Sequence, residues 1–244
     1  MLKPGGKMYP DHAVLHASPF CDEALYNEQT QKANFWAAHD FYGIDLSPVQ
    51  GDAHSFYFSQ PVVGHVPPMT LLADSCRKDF DFNSMTLGAI QNFTMQVEYR
   101  MAAISQVHGI ALWFDCRFPG SMREIFLSTA PHAPLTHWYQ VRCLLKAPLP
   151  VGPGHVVRGS LRFEANESRG YNLHVSLKNV NTGVEGDNTV VTQCALHHFQ
   201  YTSQQSVAYA AADGSMGAVY GTAPSYPGQA GDAAPAQNGA AAGS

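Results

Sequence analysis

Residues 88–116 read GAIQNFTMQVEYRMAAISQVHGIALWFDC, and this stretch decides the fold. Two runs within it, 88–99 and 107–116, have the composition of strands. Working outward, similar runs recur at 69–73, 79–83, 124–128, 138–145, 156–165 and 171–180. Turn chemistry falls between them: Pro119-Gly120, Pro131, Pro134, the stretch from Pro148-Leu149-Pro150 to Gly154, and Asn181-Thr182-Gly183. A further entering strand is expected over residues 7–20, bounded by Pro10 and Pro19. Regularly spaced short strands of this kind predict a mainly β chain, an antiparallel barrel or sandwich.

One segment breaks the pattern. Asp22 stands where a helix N-cap would, Glu23 lies in the first turn, and Leu25, Tyr26, Gln29, Ala33 and Trp36 follow at helical spacing. A turn near Gly43 and a second helix over 47–58, with Pro48 at its start, complete a helical hairpin inserted in the β domain. Its aromatic residues, Phe35, Trp36, Tyr42, Phe56, Tyr57 and Phe58, have the composition of an interface core; the alternative is a clamp onto the chain's own barrel. Beyond residue 202 the chain turns to Ala, Gly, Ser and Pro with few charges, so 203–244 is expected to be a disordered tail.

Composition excludes several functions. A net charge of -5 with 14% charged residues offers no basic field to neutralise a phosphate backbone, so direct nucleic-acid binding is not expected. No apolar run reaches the roughly 18 residues that span a bilayer, and MLKPGGKMYP lacks the apolar centre of a secretion signal, which predicts no membrane partner. Cys21, Cys76, Cys116, Cys143 and Cys194 form no C-x-x-C pair and read as thiols. His132 with His137, or His197 with His198, lacks a third ligand at recognisable spacing, so no metal site is expected. The two sequons, at Asn92 and Asn166, read as chance matches. Neither Pro4-Gly5-Gly6 nor Val151-Gly152-Pro153-Gly154 leads into a helix with an acidic ribose partner, so no nucleotide-cofactor pocket is expected in this chain.

Three stretches together carry a family resemblance: Asn34-Phe35-Trp36 with Phe41-Tyr42-Gly43-Ile44-Asp45-Leu46-Ser47; Leu127-Ser128-Thr129-Ala130-Pro131; and Leu135-Thr136-His137-Trp138-Tyr139-Gln140-Val141-Arg142-Cys143. They resemble the type I protein arginine methyltransferases, most of all their coactivator-associated, histone-modifying branch, over about residues 3–202. The resemblance implies that residues 1–202 are the C-terminal β-barrel domain, with a dimerisation arm at 22–63. It implies an active-site wall at Thr136, His137 and Trp138, with Trp138 packed beneath the loop and Thr136 fixing its turn. Tyr139 and Phe199 would line a substrate-peptide groove, whose edge His197 and His198 would alter. The arm aromatics Phe35, Trp36, Tyr42, Phe56, Tyr57 and Phe58 would mediate a homodimer or a mixed dimer. It further implies arginine-containing substrates such as histones, and a location in nucleus and cytoplasm. S-adenosylmethionine, the family's methyl donor, and its two hairpin glutamates belong to a domain not represented in this sequence; Glu23 and Glu28 read as solvated arm residues. The chain alone is therefore expected to be inactive. The alternative is a stand-alone β-sandwich protein-binding module, or an arm-mediated inactive partner of a full-length methyltransferase; strand spacing alone would also permit an unrelated adhesion or carbohydrate-binding β-sandwich.

Overall fold

The contrast between the two runs of the deciding stretch is explained by what covers each. Strand β4 (Asn92–Arg100) alternates strictly: Met95, Val97 and Tyr99 are buried while Thr94, Gln96 and Glu98 face solvent. Strand β5 (Ser105–Phe118) is buried almost continuously from Val107 to Trp113. One of its faces (Val107, Ile110, Leu112) enters the core between two sheets, and the other (Ala111, Trp113) enters a second core beneath the helical hairpin. A strand covered on both faces has no polar side, which is why 109–114 reads as an unbroken apolar run.

In this computed structural model the described residues are 3, 5–192, 200–201, 208–210 and 216–218. In chain order they form β1 (His12–Phe20), α1 (Glu23–Asn34), α2 (Gln50–Phe58), β2 (Val62–Gly64), β3 (Cys76–Asp81), α3 (Leu87–Gln91), β4, β5, β6 (Ile125–Ser128), β7 (Gln140–Val151), β8 (Val156–Ala165), β9 (Tyr171–Asn179), β10 (Glu185–Val191) and β11 (Gln200–Tyr201). The larger sheet has the order β11-β2-β7-β5-β1-β3, with β6 paired to β5, and the smaller has β10-β9-β8-β4. All these pairings are antiparallel except β11 with β2. Contacts between β3 and β4, and between β7 and both β9 and β10, bring the two sheets together as a barrel-like sandwich. The mainly β, antiparallel architecture with an inserted helical hairpin is thus as the sequence predicts.

Several elements differ from the sequence expectation. Residues 69–73 form a 3-10 turn (Pro68–Thr70), which Pro68 opens at its first position, and a single bridge from Leu71 to Phe20, not a strand. The start of the 88–99 run is the short helix α3, capped by Thr86, whose hydroxyl accepts from Ala89 N at 3.3 Å. Strand β7 runs on through Pro148 and Pro150, where a turn is expected. Its pairing with β5 jumps from Leu144 to Leu149 across an irregularity, the setting in which a strand tolerates proline. Strands β2 and β10 are additions. Val62 and Val63, at the end of the 22–63 arm, pair with β7. The chain divides into two units, Met1–Ser203 and Gln204–Ser244. In the second, Ala208–Ala210 and Met216–Ala218 pair as a small antiparallel ladder; the tail expected over 203–244 otherwise lies outside the described residues.

Candidate functional site

The loop between β6 and β7 gathers four of the predicted site residues, Thr136, His137, Trp138 and Tyr139. The Thr136 hydroxyl donates to the Trp138 carbonyl at 2.7 Å, closing a tight turn around His137. His137 is exposed and meets the Trp138 ring edge-on at 6.3 Å. Trp138 in turn touches Phe114 edge-on at 6.4 Å but is 55% exposed, so it lies over the surface rather than packed beneath the loop. Tyr139 is also exposed. Phe199, His197 and His198 lie outside the described residues.

The arm is built in two parts with opposite character. At its base, α1 presents Leu25, Gln29 and Ala33, at fourfold spacing, to the interior. Phe58, from α2, is wholly buried, its ring stacked on His54 at 4.2 Å and edge-on to Tyr26 at 5.2 Å. Phe58 is therefore a core residue and has no ring surface for a partner, contrary to its expected place among the dimer contacts. At the tip, Phe41 and Ile44 exchange backbone hydrogen bonds around Tyr42 and Gly43. Both central residues have positive φ, 55° and 82°, as a type I′ turn requires, and Asp40 accepts from Gly43 N at 2.8 Å. This geometry leaves Tyr42 92% exposed. Trp36, Phe35, Phe41 and Tyr42 form a chain of edge-on ring contacts at 5.6, 5.3 and 4.9 Å. Phe56 is 58% exposed and contacts the half-buried Tyr57.

A polar anchor joins arm to barrel, and only the first of its residues was singled out in the sequence. Asp22 caps α1 with one carboxylate oxygen, accepting from Leu25 N at 2.9 Å, and binds Arg142 Nη1 with the other at 2.8 Å. The Asp22 N–H donates to His108 Nδ1 at 3.0 Å, which makes that nitrogen the unprotonated one of the ring. The Arg142 side chain is only 3% exposed. Burial pulls its guanidinium down from the ordinary arginine value, and Asp22 opposes that shift. His108 is likewise lowered by burial, against the attraction of Asp22 and Glu23, and His65 by burial and by Arg142. Tyr26, which stacks on His108 at 4.9 Å and donates to the Lys146 carbonyl, is pushed up to about 12 by burial. The signal available in the sequence was Arg142 itself: a cation inside the apolar run 141–145 requires a buried partner.

Among the described residues no cluster of three or more His, Cys, Asp or Glu could hold a metal ion. The fold and these two features define a class, a two-sheet β domain that presents an exposed loop and an anchored helical arm. Residues 11–183 match the arginine methyltransferase oligomerization subdomain family. The chain is 40% identical over 201 residues to the histone-arginine methyltransferase CARMER of Anopheles gambiae, covering 82% of this chain and 32% of that protein. It is 39% identical to the protein of the same name from Drosophila yakuba, covering 38% of it. Among solved structures it resembles a chain of the Trypanosoma brucei PRMT1 enzyme-prozyme heterotetrameric complex with AdoHcy, with a TM-score of 0.63 and 26% identity, covering 77% of this chain and 58% of that one. Protein arginine methyltransferase 10 of Arabidopsis thaliana shares the fold, at a TM-score of 0.64 and 20% identity over 78% of this chain and 62% of that one. The chain belongs to the protein arginine methyltransferase family, through its oligomerization subdomain. It spans about a third of the length of the curated relatives it matches.

Proposed function

We propose that this chain is the substrate-facing and dimerisation half of an S-adenosylmethionine-dependent histone-arginine methyltransferase. The observation that carries the reading is the arm, where exposed aromatic side chains stand on a hairpin held to the barrel by a buried ion pair. In water such a patch is unfavourable, and covering it with a partner of matching apolar surface offsets that cost. The Thr136–Tyr139 loop would form one wall of the active site, with His137 facing the glutamate hairpin of the donor domain. S-adenosylmethionine, when bound in the donor domain of the whole enzyme, supplies the methyl group; the carboxylates that orient the guanidinium would come from the same domain. On this reading the chain binds no donor and transfers no methyl group alone. Its place would be in nucleus and cytoplasm, where histones and other arginine-containing substrates are found.

The test is to mix the tagged chain with a full-length histone-arginine methyltransferase and follow both assembly and donor binding. A mixed dimer by sedimentation, with no calorimetric binding of S-adenosylhomocysteine to the chain alone, is the expected result. Failure to pair, or donor binding by the isolated chain, would overturn the reading. A second reading, an inactive partner that modulates a complete enzyme, draws on the enzyme–prozyme pairing of the trypanosome relative. A drop in methylation on adding the chain would favour it.

A further inference from the structure

The loop that carries His137 leaves the barrel at Thr129 and returns at Gln140, and both roots meet in one buried side chain. Gln140 Nε2 donates to the Thr129 carbonyl at 2.7 Å, and its Oε1 accepts from Val66 N at 2.8 Å. Gln140, Thr129 and Val66 are all buried. Thr129 is itself fastened to β5, its N–H and hydroxyl both donating to the Phe114 carbonyl, at 3.0 and 2.8 Å, while the hydroxyl oxygen accepts from Phe114 N at 3.0 Å. Val66 lies beyond the end of the β2–β7 ladder, which stops at the Gly64–Gln140 pair, and the next two residues are prolines with no N–H to continue it. The amide of Gln140 thus takes over where backbone pairing ends. One of its groups must donate and the other accept, so the amide has a single workable orientation.

We propose that Gln140 is a positioning residue: it staples the two roots of the 130–139 loop to each other and to the segment after β2, and so sets where His137 stands. That the loop forms a wall of the active site rests on the functional reading above; that Gln140 holds it does not. The arrangement needs one donor and one acceptor, so an ionised carboxylate at this position would repel the Thr129 carbonyl. A protonated carboxylic acid would restore both bonds. A buried carboxyl also has its pKa raised, which brings the change to mildly acidic pH.

The experiment is amide hydrogen exchange on the whole chain, comparing wild type, Gln140→Met and Gln140→Glu, with protection expressed relative to wild type at each pH. Gln140→Met fills the space without the bonds and should lower protection at Val66, Ala130 and Ala133 at least tenfold, leaving β8 and β9 unchanged. Gln140→Glu should match it at pH 8 and regain protection near that of wild type by pH 5.5. Unaltered loop protection in the Met variant, or a Glu variant whose relative protection does not change with pH, overturns the proposal. If the Met variant fails to fold, the pH series of the Glu variant decides alone. Failure to pair with a methyltransferase would sink the functional reading and leave this one standing.

Discussion

The base and the tip of the arm contain the same kinds of residue and do opposite things. Phe58 is enclosed by Tyr26 and His54 against the outer face of the large sheet, whereas Phe35, Phe41 and Tyr42 touch one another and then water. The base also holds an ion pair that lets one carboxylate cap a helix and neutralise a buried cation at once. The tip holds a tight turn whose positive φ values push Tyr42 outward. Stability therefore resides in the base, and the tip leaves its rings open to the partner proposed above, although an aromatic tally along 35–58 does not distinguish them.

The most direct way to break this division is to truncate an aromatic residue at each end. Phe58→Ala should cost about 3–5 kcal/mol in chemical denaturation, the usual loss for a fully enclosed ring. Phe35→Ala should stay within about 0.5 kcal/mol of wild type. Equal losses would show that the tip is part of the folded core.

The anchor sharpens the comparison. Asp22→Asn keeps a good N-cap but leaves the Arg142 charge buried without its counterion. The expected cost is near the lower end of the about 3–5 kcal/mol for breaking a buried pair, because the Asp22 side chain keeps 18% of its exposure to water. Asp22→Ala should lose about 1 kcal/mol more through the cap. A cost for Asp22→Asn no larger than that of a surface substitution would mean that the ion pair does not secure the base.

Acidification acts on the same place more gently. His108 and His65 are both lowered below the ordinary histidine value of about 6.5. Above that pH they are neutral in folded and unfolded chains alike, and their contribution to stability is complete. As pH falls below it, the unfolded chain takes up protons that the folded chain refuses, so stability declines until the folded-state values are passed. Melting temperature should fall between pH 7 and pH 5, and His108→Asn, which keeps an acceptor for the Asp22 N–H, should flatten part of that slope. An unchanged slope would remove His108 from the account.

The smallest effect on stability should accompany the largest on assembly. Tyr42→Ser with Phe35→Ser should leave the melting temperature nearly unchanged while abolishing self-association, or pairing with a full-length methyltransferase, in sedimentation. Persistent association would move the interface away from the tip.

Much of this was legible in the residues. The strands were readable where composition and turns agree, as in β8 and β9, and the start of α1 was readable because Asp22 is an N-cap by chemistry. Strand β10 was missed because EGDNTVV offers an apolar position only at its end, and residues 69–73 were misread because their apolar composition concealed the 3-10 turn that Pro68 opens just ahead. Of the candidate site, the clustering of Thr136 to Tyr139 followed from adjacency in sequence. The roles of Gln140, Arg142 and His108 did not, because each acts on a residue 11 to 120 positions away.

Hydrophobic period, proline and glycine placement, and helix caps act over a few residues, so the sequence by itself determined a mainly β chain with an inserted helical hairpin and an aromatic arm. Which face of β5 met which core, which aromatic residues were enclosed, and which polar groups found partners were decided only by tertiary structure. Burial and pairing are properties of distant segments brought together, and the same Phe or Arg has a different energy on either side of that event.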